Sequence, residues 1–153
     1  MKILIVTDAY YPQVNGVVRT LHQTGEILKS QGHNIEYITP QQFLTVPMPK
    51  YNEIRLSLNV WPRVSNLINA IKPDAIHIAT EGPLGFMARR HCIKNDLKFT
   101  TSFHTRFDKY MKLYMQIIPA KWSEKFWCKF HNKGERILVT TESMREELIE
   151  VGV

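Results

Sequence analysis

Four short apolar runs, Ile3 to Val6, Ile35 to Ile38, Ala75 to Ala79 and Ile137 to Thr141, recur along the chain with amphipathic stretches between them. A fifth, more polar run spans Phe99 to Phe103. Continuous apolar runs of this length suit strands covered on both faces, whereas a half-solvated strand alternates apolar with polar. The intervening segments carry their apolar residues at helical spacing. Gly16 to Gln31 presents Val17, Val18, Leu21, Ile27 and Leu28 and ends at Gly32; Trp61 to Ile71 presents Trp61, Val64, Leu67, Ile68 and Ile71 and stops before Pro73. Gly82 to Asn95 opens with Pro83, Ala120 to Asn132 follows, and Ser143 to Glu150 starts with the S-x-x-E pair of a capping box, Ser143 and Glu146. The alternation predicts an α/β fold, a Rossmann-like, mostly parallel sheet with helices on both faces. Thr39 to Asn52, with three prolines, reads as a long loop, and Ile54 to Leu58 as an additional strand.

At 153 residues, the chain is long enough for one core, and its 44% hydrophobic and 22% charged residues exclude a disordered or collagen-like chain. Cys92 and Cys128, 36 positions apart, form neither a C-x-x-C metal pattern nor a disulfide framework, so a reducing, cytoplasmic setting fits. The first apolar run is too short for a signal sequence, and no stretch approaches the roughly 20 apolar residues of a membrane span. The formal charge of +6 favours phosphate-bearing or acidic ligands, or an anionic surface.

In a doubly wound sheet, ligands sit beyond the C-terminal ends of the strands. The first run leads through Thr7 and Asp8 to Asn15-Gly16, where a helix N-terminus offers outward N–H groups and partial positive charge to a phosphate. A plain helix cap explains the same two residues. Glu81, after the third apolar run, is placed either to hold a substrate hydroxyl or act as a base, or to offset the dipole of the next helix. Ser102-Phe103-His104-Thr105-Arg106-Phe107 gathers an imidazole, a hydroxyl and a guanidinium that suit a phosphate or a polyhydroxylated ring. His22, His33, His77, His91 and His131 lack metal-like spacing and read as structural or surface residues. No G-x-G-x-x-G, P-loop or G-x-S-x-G is present, so a dinucleotide enzyme, a P-loop enzyme and a serine hydrolase all lack support. Trp122, Phe126 and Phe130 recur every four residues beside a row of Lys121, Lys125 and Lys129. The stripe reads as a core face with a solvated lysine row, or as a surface that meets anionic lipid.

Thr7 to Thr20, His77-Ile78-Ala79-Thr80-Glu81-Gly82-Pro83-Leu84-Gly85 and Thr101 to Phe107, with Phe130-His131-Asn132 and Val139 to Ser143, resemble the N-terminal domain of family 4 retaining glycosyltransferases. The branch they are most similar to contains bacterial lipid mannosyltransferases and sulfoquinovosyl-diacylglycerol synthases. The resemblance covers essentially residues 1–153 and implies the first half of a GT-B enzyme, two Rossmann-like domains facing each other across a cleft. It implies donor-phosphate contacts at Asn15 and Gly16, a catalytic role for His104, and acceptor contacts from Asp8, Arg19, Glu81, Thr105 and Arg106. Lys121, Trp122, Lys125 and Lys129 are the membrane-facing candidates. The implied donor is a UDP- or GDP-linked sugar used without a metal or other cofactor, and the implied acceptor a lipid or glycan. No nucleic acid is implied, and the setting is the cytoplasm or, peripherally, the inner face of the plasma membrane. The nucleotide-binding C-terminal domain has no counterpart in these residues, so the isolated chain is expected to be inactive. The reading from another class is a non-catalytic Rossmann-like binding or assembly module.

Overall fold

A computed structural model describes residues 1–48, 51–104 and 120–153, without the side chains of 51–53 and 120–124. The elements are β1 (Lys2–Val6), α1 (Gly16–Ser30), β2 (Asn34–Ile38), β3 (Thr45–Met48), β4 (Tyr51–Ser57), α2 (Val60–Ile71), β5 (Ala75–Ile78), α3 (Pro83–Lys94), β6 (Thr100–Phe103), α4 (Ala120–His131), β7 (Arg136–Val139) and α5 (Glu142–Glu150). Five strands form one sheet in the order β2-β1-β5-β6-β7, every pair parallel. The predicted α/β architecture is therefore the observed one.

Successive side chains of a strand point to opposite faces, and the core divides accordingly. Leu4, Val6, Ile76 and Ile78 pack on Val64 and Ile68 of α2, on Leu84, Ala88 and Cys92 of α3, and on Phe130 of α4. Ile5, Ile35 and Ala79 pack on Leu21 of α1 on the other side. Arg89 on α3 fixes the end of α4 from the first of these faces: its Nε donates to the Phe130 carbonyl at 2.8 Å, its second guanidinium nitrogen donates to the Lys129 carbonyl, and the cation lies over the Phe130 ring. Coverage thins toward β7, where Leu138 is 55% exposed. The run around it was expected to be buried on both faces.

Two further expectations change. The segment read as a loop contains a 3-10 turn at Pro40–Gln42 and strand β3, which pairs antiparallel with β4 through Thr45 opposite Ser57 and Val46 opposite Leu56. Proline lacks a ladder donor, which made this stretch read as a loop, but a two-stranded ribbon tolerates Pro47 on its free side. At α5 the cap is Thr141, which accepts from the Met144 N–H at 3.2 Å, so Ser143 lies inside the helix instead of starting it. Both Thr141 and Ser143 are good cap residues, and the chain leaving β7 turns at the first. Gly32 follows α1 with a φ of 85°, the left-handed conformation that glycine adopts without penalty.

Phe130 is 2% exposed within the larger core cluster. Replacing Phe130 with Ala should lower the unfolding free energy in urea by about 3–5 kcal/mol, whereas Leu138→Ser should change it by less than about 1 kcal/mol.

Candidate functional site

The chain leaves β1 toward β2 on one side, while β5 takes the other side and leads on to β6. The connections after β1 and β5 therefore part at the C-terminal edge, the switch point at which a sheet of this kind opens a crevice. Asp8 lies in this opening. Its Oδ1 accepts from the Leu84 N–H at 2.9 Å, and its Oδ2 from the Gly85 N–H at 3.2 Å and the Thr80 hydroxyl at 2.9 Å. The Asp8 N–H donates to the same Thr80 oxygen at 2.7 Å. A carboxylate from β1 thus caps the N-terminus of α3, with the favourable sign for the helix dipole. The two glycines around it have steric reasons: a Cβ on Gly82 would strike the Asp8 carboxyl, and one on Gly85 would strike the Thr80 carbonyl oxygen. Asp8 was expected on the acceptor side; it stands at that edge, with both oxygens turned onto α3.

Asn15 is the N-cap of α1, its Oδ1 accepting from the Val18 N–H at 3.0 Å. Gly16 begins the helix exposed, outside the left-handed region, and a Cβ there would meet nothing within 4 Å. Neither strain nor packing requires glycine at 16, and the space above this helix end is open. Arg19 is exposed on the same first turn.

Glu81, on the connection after β5, and His104, next after β6, stand close enough for the carboxylate to raise the proton affinity of the imidazole. Burial acts more strongly in the other direction, so His104 is held below the ordinary histidine range. Its Nε2 is enclosed and has no hydrogen-bond partner among the described residues. Thr105 and Arg106, expected beside it, lie outside the described residues.

Two histidines taken as structural or surface residues also reach this edge. His77 on β5 holds Thr100 Oγ1 at 2.8 Å through Nδ1 and Ser102 Oγ at 2.8 Å through Nε2. Burial, aided by the neighbouring His104, lowers it to about 4. His131, the last residue of α4, is fully buried, with Nδ1 2.9 Å from Thr101 Oγ1 and Nε2 3.3 Å from Glu81 Oε1. Its place four residues after Trp127 marks a core-facing position, but nothing local pairs residue 131 with residue 81.

The aromatic row on α4 is divided. Phe130 is core; Phe126 is 39% exposed and stacks on Phe86 of α3 at 5.7 Å, with Lys125 and Lys129 exposed nearby. Lys121 and Trp122 are on the same helix, with side chains outside the described residues.

The sheet edge that the sequence motifs share is thus assembled from β1, β5, β6 and the end of α4. Residues 14–153 match the model of Glycosyltransferase Family 4. The chain belongs to glycosyltransferase family 4. It is 23% identical, over its whole length, to a GDP-mannose-dependent alpha-mannosyltransferase of Corynebacterium glutamicum, covering 41% of that protein. It is 24% identical over 97% of its length to a sulfoquinovosyl transferase of Arabidopsis thaliana, covering 32% of it. It is 27% identical over 99% of its length to an alpha-monoglucosyldiacylglycerol synthase of Acholeplasma laidlawii, covering 43% of it. The family 4 chain therefore spans less than half the length of these relatives.

Burial raises the Asp8 carboxyl from 3.8 to about 6, against the hydrogen bonds from α3 and Thr80 that lower it. Because the native value lies above the unfolded one, the native state binds the proton more tightly, and stability falls as pH rises through the window from about 4 to about 6. Asp8→Asn removes this titration. The unfolding free energy of the wild type minus that of Asp8→Asn should decline by up to about 3 kcal/mol between pH 4 and pH 7 in urea titrations. Parallel pH profiles would refute the assignment.

Proposed function

We propose that this chain is the acceptor-side half of a retaining glycosyltransferase that moves a hexosyl group, mannosyl or similar, from a UDP- or GDP-linked donor to a lipid-linked or glycan acceptor. The observation that carries the reading is His104: a half-buried imidazole whose Nε2 is enclosed and unpartnered among the described residues, held below the ordinary histidine range by burial, at the sheet edge where ligands of this fold class bind. A neutral imidazole offers one donor and one acceptor, which suits the hydroxyl groups of a transferred sugar. Family membership and the open helix start at Gly16 support the same assignment.

Departure of a nucleoside diphosphate leaves negative charge on a phosphate oxygen. The N–H groups and dipole at the start of α1 are a fixed positive region for that charge, and Asn15 holds the helix start in shape. Gly16 admits the phosphate without a side chain in the way. Asp8, Arg19, Glu81, Thr105 and Arg106 are assigned to the acceptor side, with Asp8 acting from its capping position. The nucleotide and the remaining charge stabilisation, likewise without a metal, are assigned to a second domain facing this one across a cleft. An acceptor in a membrane would bring the enzyme to the cytoplasmic leaflet. The exposed Lys125, Lys129, Phe126 and Phe86, with Lys121 and Trp122, suit an anionic lipid surface, apolar rings entering and lysines pairing with headgroups.

Sugar transfer should be measurable when the chain is combined with the donor-binding half of a family member, and absent for the 153 residues alone. In the combined enzyme His104→Ala should lower kcat by about 100-fold or more. Undiminished turnover would remove His104 from the chemistry, and loss of affinity alone would favour a binding module. In vesicle sedimentation, retention on anionic liposomes should exceed that on neutral ones and drop when Lys125 and Lys129 are both replaced by Glu; equal retention on the two lipids argues against a membrane face.

A further inference from the structure

His131 is the buried group at this edge that the transfer reading leaves without a task. Its ring sits among Phe103, Trp127 and Phe130, with centroids 5.7, 6.4 and 5.1 Å away. In such a cage a leucine or phenylalanine would fill the space without two polar nitrogens to satisfy, and burying those nitrogens is costly unless each has a partner. One partner is the buried Thr101 hydroxyl, 2.9 Å from Nδ1. Among the described residues the other nitrogen has only the Glu81 carboxylate in front of it, at 3.3 Å and short of a well-formed hydrogen bond. An ionised carboxylate can only accept, so it is Nε2–H that faces Glu81, while Nδ1 pairs with the Thr101 hydroxyl.

The ring cannot readily turn away. Phe130, the residue before it, is locked in the core, and Arg89 grips the carbonyls of residues 129 and 130. Glu81, by contrast, sits on the connection between β5 and α3, with its side chain 16% exposed and a path to water. Among the described residues Glu81, from this connection, acts electrostatically on His104; His104 in turn acts on His77 of β5, and Glu81 also acts on Asp8 from the β1 side.

We infer that His131 is a positioning residue, which clamps Glu81 against the sheet edge so that its carboxylate faces His104. The chain Thr101, His131, Glu81, His104 runs from the core to the ligand edge, and its meaning for catalysis rests on the glycosyltransferase reading. With the clamp in place, the carboxylate supports proton affinity at His104 against the effect of burial. Without it, Glu81 is free to turn to water, and His104 loses that support.

The decisive experiment is a titration of the His104 ring by NMR in the 153-residue chain carrying labelled histidine, between pH 4 and pH 9. Glu81→Gln and His131→Leu should each move the His104 titration down by about half a pH unit or more. The double variant should move it no further than Glu81→Gln alone. His131→Gln, whose side-chain amide reaches the place of Nε2, should restore most of the wild-type value, which a purely space-filling role would not do. If His131→Leu does not fold, Thr101→Val keeps the shape and removes the hydroxyl that orients the ring, and a downward shift is again expected. An unchanged His104 titration in folded His131→Leu, or in both Glu81→Gln and Thr101→Val, overturns the clamp. The measurement needs neither donor nor acceptor. Failure of sugar transfer would therefore leave its outcome standing, and failure of the clamp would leave the transfer assay standing.

Discussion

One carboxylate joins the three segments on which the site depends. Asp8 leaves β1, receives the Thr80 hydroxyl from the connection after β5, and caps Leu84 and Gly85 at the start of α3. A parallel sheet fixes where its strands end, but not how the connections beyond those ends lie. At a switch point these connections diverge and need a tie. The N–H groups of a helix start must find acceptors, and a buried carboxylate must find donors, so each solves the problem of the other. The tie also determines the sequence around it, since Gly82 and Gly85 are the places where any side chain would collide with Asp8 or with the Thr80 carbonyl. Ionising Asp8 in that enclosed position works against burial, which is why its carboxyl is raised despite three hydrogen bonds.

From this anchored edge the chemistry follows by position. Glu81 is next to Thr80 in the chain and so inherits its place from the same tie. His104 ends the neighbouring strand and is brought beside Glu81 by the pairing of β5 with β6. His131 arrives from the opposite direction, through the core, on a helix end held by Arg89. Three side chains from separate parts of the sequence therefore converge, each held close to the end of a strand or a helix. Rigid elements hold such a constellation more closely than loops do. The N-terminus of α1 faces outward nearby with no side chain at Gly16, a surface that presents backbone donors in place of a charged residue.

Much of this was legible in local patterns. The strands of the main sheet and the helices among the described residues show in the apolar runs and in helical spacing, because continuous burial and a 3.6-residue stripe each leave a mark within ten residues. Asp8, Glu81 and His104 stand just after strands, and Gly82 and Gly85 at the start of the next helix, where the fold class itself directs attention. What escaped had no local mark. The β3–β4 ribbon was hidden by the prolines of this segment, of which Pro47 lies on β3, where the free side of the ribbon tolerates it. Ser143 and Thr141 offer equivalent caps, and only the path out of β7 chooses between them. His131 is a histidine at the end of an aromatic helix, and its contact with residue 81 exists only once α4 has docked.

The sequence alone determined the alternation of elements, the parallel sheet that the alternation demands, and the residue types gathered at its C-terminal edge, since these depend on periodicity and on chain order. The tertiary structure decided what each polar group does there. Asn15 and Asp8 are helix caps, one for its own helix and one for a helix far along the chain, and His131 is a buried partner of Glu81. Such roles depend on distances between segments remote in sequence and on which groups are shut away from water. Burial and long-range hydrogen bonding come into being only when the sheet closes and the helices pack against it.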